Sequence, residues 1–491
     1  MSNLTDLLPA GAGGKQVDFV ATGNLPNGVP VALKTDGTVV AITGSSATTG
    51  LGTQQSWSSE EGFAHLASIC VGNIFIVAFY DINGSPAYQG KVVAGVVSGS
   101  TISFGSLTTF YSGRVGTRQI SLAYSTTDSR LVIVFANNDF GDIGQQVTCS
   151  LSGTSITVLT RDTFYSGEIS DNSVVYDATE DKIVITYEAV GNSRYGHMVL
   201  YDPIAETYST TYVWLSNRVQ YTKAVYDPDE EKVVVFYSAL DTAQYGQYIV
   251  ATVNGSGNTI SFGSIGTFVS EQVARGLVAA YDSGSNKMVV AWFDGDNSFV
   301  GRVIVGTVSG STMSFGSVVT FESGQYNDYI SIAYNPIANK VVIAYTDYDS
   351  ISAGDNYGTA LIGTVNGTSI SFESPLVYNA ENTLWNTISY SSTGTMAIAY
   401  RKSAGDAKAK VLTVGYVNSN NTDFIGITDA AISDTASGSV TIKGGISTNV
   451  TGLTPNQNYY VQINGTLSTT ASDVLAGKAL SSTSINLDYT T

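Results

Sequence analysis

Hydrophobic residues concentrate in short runs that recur along most of the chain. Seven such runs read NIFIVAF, RLVIVF, KIVITY, KVVVFY, KMVVAW, KVVIAY and TMAIAY. They end at Phe79, Phe135, Tyr187, Tyr237, Trp292, Tyr345 and Tyr400, so successive ends lie 56, 52, 50, 55, 53 and 55 residues apart. Short runs rich in β-branched and aromatic residues predict buried β-strands. Their regular spacing predicts a repeat architecture.

The residues around each apolar run predict four antiparallel strands per repeat, which we call A to D in chain order. Strand A leads through a turn such as YDATEDK or YNPIANK into the apolar strand B, a longer loop leads to C, and an SGS or NGT turn leads to D. Asn and Gly supply the positive φ angles that tight hairpins need. One such sheet cannot bury both faces, whereas sheets packed radially can. The sequence therefore predicts an all-β fold containing a seven-bladed β-propeller of four-stranded blades.

The ends of the repeat array predict how the ring closes. The last repeat loses the pattern after its C strand at 410–417, and an unmatched GLGTQQSWSS at 50–59 has the pattern of a D strand. Pairing of these two segments would remove two exposed strand edges. We therefore expect the propeller to occupy 49–417 and to be closed by its own N-terminal segment.

The segments outside the repeats, 1–48 and 418–491, share a hairpin pattern. LPNGVPVALKTDGTV at 25–39 and LTPNQNYYVQINGTL at 453–467 both open with Pro and Asn, alternate apolar residues and end on an Asx-Gly-Thr turn. They predict a small β domain built from both ends of the chain, because closure of the ring brings its entry and exit together.

Composition and charge exclude several functional classes. The chain has 22 Lys and Arg against 40 Asp and Glu, a net charge of −18, and this argues against a nucleic-acid partner because phosphate binding needs cations. No apolar stretch reaches the roughly 18 residues of a membrane span, and the N-terminus lacks a secretory pattern. Cys70 and Cys149 lie within strand patterns and are expected to be buried thiols rather than a disulfide.

Three phrases carry a resemblance to a known group of proteins. They are the repeat phrase YISIAYNPIANKVVIAYTDYD with NYGTALIGTVNGTSISFESPLVY, the front segment LLPAGAGGKQVDFVATGNLPNGVPVALKTDGTVVAI, and the tail from DFIGITDAAISDTASGSVTIKGG to LAGKALSST. Together they resemble repeat-containing structural and tail-fibre-like proteins of tailed bacteriophages, especially marine ones. The resemblance implies a virion protein, made in the host cytoplasm, with other virion proteins as partners. It supplies no catalytic residue.

The residues show no catalytic or metal-binding motif. A propeller glycosidase of the sialidase kind would carry Ser-x-Asp-x-Gly boxes, which are absent, and His65 and His197 are expected to be structural. The acidic loops at 294–298 and 347–355 lack the EF-hand spacing. We therefore predict no enzymatic activity, no metal and no cofactor. Glycoside hydrolysis needs only a pair of carboxylates, which a fold can bring together without a sequence motif. Depolymerase activity is therefore kept as the less favoured alternative.

The loops from B to C vary in length and charge while the strands stay alike, as expected when a scaffold carries recognition. Aromatic faces beside polar groups suit sugar rings. The alternative is that each aromatic residue only covers the end of its blade. The predicted ligand-binding residues are Tyr88, Phe140, Arg194, Tyr195, Tyr245, Asp296, Phe299, Asp349 and Tyr357.

Two functions from different classes follow from these patterns. The first is a tail-fibre or appendage-like adhesin, a homo-oligomer and most simply a trimer, whose propeller loops contact a host surface polysaccharide. The second is a capsid or tail decoration protein without a ligand. In both, the terminal segments serve docking or oligomerisation, and no membrane insertion is expected.

Overall fold

The computed structural model describes most of the chain, namely residues 15–58, 62–85, 87–116, 120–324, 328–348, 356–402 and 405–487. The described residues form an all-β structure, and their helical segments are 3₁₀ turns at Asn138–Phe140, Val190–Asn192, Gly295–Asn297 and Asn421–Asp423. None of their helices is long and apolar enough to cross a membrane. The chain divides into two compact units, the repeat unit Thr49–Val414 and a terminal unit made of Met1–Thr48 and Gly415–Thr491.

Six of the described strands come before the first repeat in the chain. They are β1 (Gln16–Val20), β2 (Pro30–Leu33), β3 (Val39–Ala41) and β4 (Gly44–Ala47) in the terminal unit, then β5 (Gly50–Leu51) and β6 (Gln55–Ser58) in the repeat unit. Each apolar run forms the second strand of an antiparallel sheet, and we number the sheets by the repeat that supplies this strand. Sheet 1 contains β7 (Phe63–Val71), β8 (Ile74–Asp81), β9 (Gln89–Ser98), β10 (Thr101–Phe104) and β11 (Thr108–Tyr111).

Three long strands run from one sheet into the next, so that each supplies the last strand of one sheet and the first of the following one. Sheets 2 and 3 contain β12 (Ser121–Ser125), β13 (Arg130–Asn137), β14 (Ile143–Ser152), the shared β15 (Ser155–Asp177), β16 (Lys182–Ala189), β17 (Tyr195–Asp202) and β18 (Thr207–Tyr208). Sheets 4 and 5 contain the shared strands β19 (Tyr212–Asp227) and β23 (Gly266–Asp282), with β20 (Lys232–Ala239), β21 (Tyr245–Asn254), β22 (Thr259–Phe262), β24 (Lys287–Asp294), β25 (Val300–Ser309), β26 (Thr312–Phe315) and β27 (Val319–Glu322).

The last two sheets repeat the arrangement of sheet 1. They contain β28 (Asp328–Asn335), β29 (Lys340–Asp347), β30 (Tyr357–Asn366), β31 (Ser369–Phe372), β32 (Leu376–Asn379), β33 (Thr383–Tyr390), β34 (Thr395–Lys402) and β35 (Ala407–Thr413). The outer strand of sheet 7 comes from the front of the chain. Leu51 of β5 pairs with Leu412, and β6 continues along the same edge of β35, with Gln55 opposite Ala409.

A glycine packed beneath an aromatic ring recurs near the start of the third strand. A Cβ atom on these glycines would lie 2.3 to 2.6 Å from a ring carbon of the outermost strand, so only glycine fits. The pairs are Gly90 with Phe110, Gly144 with Phe164, Gly196 with Trp214, Gly246 with Phe268, Gly301 with Phe321 and Gly358 with Tyr378. In sheet 7, Ala407 takes the place of the glycine and Trp57 takes the place of the aromatic residue. Trp57 lies in the closing strand β6, at the register shift opposite Ala407 and Lys408. The aromatic residue of the repeated C–D phrase is therefore a packing element.

The first strands of neighbouring sheets contact one another from β7 through β12, β15, β19, β23, β28 and β33, and β33 contacts β7. Side-chain hydroxyls join these strands. Ser68 Oγ lies 2.8 Å from Thr387 Oγ1, and Ser331 Oγ accepts a 3.0 Å hydrogen bond from the Ile388 N–H. The first strands consequently surround a common space.

The remaining strands belong to the terminal unit. They are β36 (Tyr416–Ser419), β37 (Phe424–Thr428), β38 (Ser437–Ile442), β39 (Ile446–Ser447), β40 (Asn458–Val461), β41 (Leu467–Ser468), β42 (Leu475–Ala479) and β43 (Ile485–Leu487). One five-stranded sheet has the order β1-β38-β37-β2-β3, and another has the order β39-β43-β42-β40-β41. Both ends of the chain thus contribute strands to the sheet β1-β38-β37-β2-β3.

The two predicted Asx-Gly-Thr hairpins have the same turn geometry. Asp36 Oδ1 accepts hydrogen bonds from the Thr38 N–H at 3.0 Å and from the Thr38 hydroxyl at 2.7 Å. Asn464 Oδ1 accepts the matching pair from Thr466, at 3.1 and 2.7 Å. The bonds to Thr38 are the largest reason that the pKa of Asp36 falls to about 2.

Candidate functional site

A cavity of about 660 Å³ lies among the first strands of the repeat sheets. Its lining includes one equivalent position of six of these strands, and we call these residues the inner ring: His65, Asp171, Tyr221, Gly276, Tyr329 and Trp385. Each lies in the register shift that follows the start of the strand. Because the same irregularity recurs in all six strands, the inner ring is a feature of the repeat.

Five inner-ring residues have left-handed backbone, with φ between 47° and 56°: His65, Tyr221, Gly276, Tyr329 and Trp385. This conformation costs a non-glycine residue on the order of 1 kcal/mol or more. The bulge interrupts the strict alternation of side chains along the strand. A strained backbone repeated at a cavity is typical of a functional site.

Aromatic rings form a continuous series that begins in the cavity lining, with Tyr329, Trp385 and His65, and extends beyond it. The ring centroids of Tyr329 and Trp385 lie 4.4 Å apart, and those of Trp385 and His65 lie 4.2 Å apart. Tyr80 follows at 5.4 Å from His65, and Tyr88 at 5.7 Å from Tyr80. We call these five residues the aromatic arc. It runs from the inner strands of sheets 6, 7 and 1 out to a B–C loop.

The outer end of the arc carries a cation. The Arg114 guanidinium lies 5.7 Å from the centre of the Tyr88 ring, at a distance that permits a cation–π interaction. Further in, burial raises the pKa of Tyr80 to about 12, and the neighbouring Tyr88 adds to the shift. Tyr80 therefore keeps its proton at neutral pH. The half-buried rings of the arc, Tyr329, Trp385, His65 and Tyr88, offer apolar faces, and the two tyrosines add hydroxyl groups, a combination that suits a sugar ring.

Charged side chains occupy another part of the same cavity lining. Glu188 is fully buried and forms an ion pair with Arg194, which has left-handed backbone at φ 62°. Burial raises the pKa of Glu188 to about 7, helped by the charge of Asp171 and opposed by Arg194. Asp171 Oδ2 accepts a 2.7 Å hydrogen bond from the Tyr221 N–H. Burial lowers the pKa of the Lys223 ammonium, and Asp171 opposes that shift.

Two of the sequence-predicted residues belong to this site. Tyr88 forms the outer end of the aromatic arc, and Arg194 lines the cavity. The left-handed turn that places Arg194 is closed by its N–H, which donates to the Ala189 carbonyl at 3.0 Å. Tyr88 thus lies at the aromatic end of the site and Arg194 at its charged part.

Of the other predicted residues, those that the structure describes are not part of the cavity lining. Tyr195, Tyr245 and Tyr357 pair with the last residue of the second strand in three different sheets. Phe140 is exposed over 67% of its surface. Asp296 lies in a 3₁₀ turn and accepts a 3.0 Å hydrogen bond from the Gln272 N–H, while Phe299 packs partly buried against the core of sheets 5 and 6. Asp349 lies outside the described residues.

Sequence reasoning missed most of the cavity. His65, predicted to be structural, lines the cavity and packs against Trp385; His197, predicted likewise, is 3% exposed and packs edge-on against Tyr187. A usable signal was present in the repeat alignment. Asp171, Tyr221, Gly276 and Tyr329 all lie 16 residues before the end of their apolar run, at a position whose chemistry changes from repeat to repeat.

The part of the chain that the structure describes contains no cluster of three or more His, Cys, Asp or Glu side chains able to hold a metal ion. Cys70 and Cys149 are free thiols, and burial raises the pKa of each to about 12. Neither thiol is therefore poised as a nucleophile at neutral pH.

No protein-family model and no curated protein match this sequence. Among solved structures, a polysaccharide lyase of family PL25, an ulvan lyase bound to -[GlcA(1-4)Rha3S]-, is similar with a TM-score of 0.48 and 9% identity, over 74% of this chain and 96% of that chain. The β-propeller domain of the Trilobed protease from Pyrococcus furiosus is similar with a TM-score of 0.43 and 10% identity, over 72% and 94%.

One sequence-based prediction is corrected by this comparison. The absence of a recognised catalytic motif led to the prediction that the chain is not an enzyme, and that prediction is wrong as an exclusion because a similar solved structure is a polysaccharide lyase. The physical reason is that catalytic groups can come from separate strands and then leave no motif in the sequence.

Proposed function

We propose that the protein is a glycan-binding adhesin of a tailed-phage virion, and that its repeat unit is a closed seven-bladed β-propeller. The contact of β33 with β7 and the pairing of β5 and β6 with β35 support the closed ring. The glycan binds at the cavity and along the aromatic arc, so the recognition site includes the inner strands as well as the B–C loops.

The aromatic arc is the observation that carries the glycan proposal. Successive rings of the arc lie 4.2 to 5.7 Å apart, and the half-buried Tyr88 and Tyr329 carry hydroxyl groups. Sugar C–H groups pack on aromatic faces, and their hydroxyls need hydrogen-bonding partners at the edges. The cavity volume of about 660 Å³ falls within the roughly 300–1,000 Å³ of small-ligand pockets. An arc that leads from the cavity to a loop fits an extended chain better than a single sugar.

The virion assignment is supported by the resemblance of the front, repeat and tail phrases to phage structural proteins. On this proposal the terminal unit docks the protein to other virion proteins or to further copies of the chain, most simply as a trimer. Exposed apolar residues of this unit include Val417 at 73% and Ile446 at 54%. Solution mass measurements of the whole chain and of residues 49–414 test the assembly role, since only the whole chain should oligomerise.

A titration against polysaccharides tests the glycan proposal. The panel contains neutral chains (dextran, laminarin), carboxylated chains (alginate, polygalacturonate) and sulfated chains (carrageenan), measured calorimetrically. We expect at least one to bind, and Trp385→Ala to weaken that binding by about tenfold or more, since stacking on a ring is worth on the order of 1 kcal/mol or more. Trp385→Phe, which keeps a ring, should lose less.

Matched variants locate the site. Tyr195→Ala and Tyr245→Ala remove rings of the B–C loops outside the cavity lining, and each variant must keep the melting temperature of the wild type. A loss confined to the Trp385 variant supports the cavity; a loss confined to the loop variants moves recognition to the loops. If no polysaccharide binds the folded protein, the adhesin proposal fails and the decoration function replaces it.

Cleavage of the bound glycan is the second candidate function. Two titratable groups with shifted pKa values support it: Lys223, which lines the cavity, and Glu188, which forms an ion pair with the cavity-lining Arg194. Release of new chain ends during the same titration, abolished in Glu188→Gln, would establish it. Binding without any release would limit the function to adhesion.

A further inference from the structure

We infer that the cavity selects an anionic sugar, and that Lys223 binds its carboxylate or sulfate group. This inference rests on the proposed glycan-binding function and specifies the class of ligand. Three observations support it: the position of Lys223 in the repeat, the partners of the neighbouring charged groups, and the cavity that Lys223 lines.

Lys223 is an exception within a repeated position. It pairs with Phe236, the residue before the end of the apolar run, and the equivalent residues of the other sheets are small, apolar or hydroxylic. They are Ala67, Ser121, Ser173, Val278, Ser331 and Thr387. Where a scaffold tolerates an alanine or a serine, a long cation is not needed for folding. The substitution therefore points to a role in the cavity, which Lys223 lines.

The ammonium group of Lys223 has no hydrogen bond or ion pair among the described residues, and its electrostatic partner is Asp171. Asp171 is itself engaged, because its Oδ2 accepts from the Tyr221 N–H. Lys223 is partly buried, and a partly buried cation without a close counter-ion is disfavoured, as its lowered pKa indicates. An anionic ligand would supply the missing partner.

The other cation of this region already has a protein partner. Arg194 forms its ion pair with the fully buried Glu188. Of the described Lys and Arg residues that line the cavity, Lys223 is therefore the one whose charge is available to a ligand. The net charge of −18 repels anionic polymers at long range, but that field is screened within about 8 Å at physiological salt. Recognition then depends on the local cation.

The test compares Lys223→Gln, Lys223→Arg and the control Lys287→Gln at constant ionic strength near physiological. Lys287 lies at the start of β24, outside the cavity lining, so its variant matches the change in net charge. The probes are oligosaccharides of polygalacturonate for carboxylate, of carrageenan for sulfate, and of dextran as the neutral reference. We expect wild type to prefer one anionic probe, and Lys223→Gln to lower that affinity about tenfold or more, with Lys223→Arg retaining most of it.

The outcomes separate this inference from the proposed function. If a neutral probe binds best and Trp385→Ala abolishes binding while Lys223→Gln has no effect, the adhesin proposal stands and the anion inference fails. If Lys287→Gln weakens binding as much as Lys223→Gln, the effect is one of net charge and the inference also fails. Should none of the probes bind folded wild type, both proposals fail. Preference between the two anionic probes identifies the anionic group.

Discussion

Replacing Trp57 with Ala is expected to lower the free energy of unfolding of the repeat unit by about 3–5 kcal/mol. Trp57 is 4% exposed and packs edge-on against Phe63 and Phe79, with ring centroids 4.8 and 4.9 Å away. Its indole N–H donates a 2.8 Å hydrogen bond to the Lys408 carbonyl. One side chain thus joins the closing strand β6 to sheet 1 and to β35. Its loss removes apolar packing and leaves a carbonyl unpaired.

Urea denaturation followed by circular dichroism measures this loss. Trp57→Phe should lose clearly less, because Phe occupies the equivalent position in sheets 1, 2, 4 and 5. Phe140→Ala, at a side chain exposed over 67% of its surface, should change stability by less than about 0.5 kcal/mol. A loss below about 1 kcal/mol for Trp57→Ala would mean that the front strand is not needed to hold the sheets together.

Glu188→Gln is expected to remove a pH dependence of stability worth about 3 kcal/mol, since each unit of pKa shift corresponds to about 1.4 kcal/mol. Burial raises the pKa of Glu188 from 4.5 to about 7, so the folded protein disfavours the carboxylate. Its contribution to stability is therefore complete below about pH 4.5 and is lost as the pH rises through about 7. Gln is neutral throughout, and Arg194, with a side chain 37% exposed, can turn to water.

The comparison is made as a difference between wild type and variant in urea unfolding from pH 5 to pH 8, so that other titrating groups cancel. The two proteins should be similar at pH 5, and the variant should be the more stable at pH 8. Glu231→Gln, in the exposed turn after β19, is the control and should follow wild type at every pH. A variant that is less stable than wild type at pH 8 would show that the ion pair outweighs burial.

The all-β class could be predicted from the sequence, because strand B of each repeat is apolar at nearly every position and the turns are rich in Asn and Gly. The matched turns at Asp36 and Asn464 could likewise be read from the sequence, since their hydrogen bonds are local. The front segment at 50–59 was expected to pair with the last repeat, and β5 and β6 pair with β35. These features depend on residues close in sequence or on a pattern repeated many times.

The cavity could not be predicted in the same way. Trp385 and His65 are more than 300 residues apart in sequence, yet their rings lie 4.2 Å from each other because the ring of sheets brings β33 next to β7. The bulges of the inner ring interrupt the alternation of side chains, so no hydrophobic pattern predicts them. Loop variability favoured the B–C loops, and of the predicted residues that the structure describes, Tyr88 and Arg194 belong to the site.

Hydrogen–deuterium exchange with and without the tightest-binding polysaccharide tests the central claim most directly, because it reports where the ligand protects the backbone. Binding at the cavity predicts protection at the starts of β7, β28 and β33 and in the loop containing Tyr88. Protection confined to the loops around Phe140, Tyr195, Tyr245 and Phe299, with unchanged exchange in those three strands, would contradict the account.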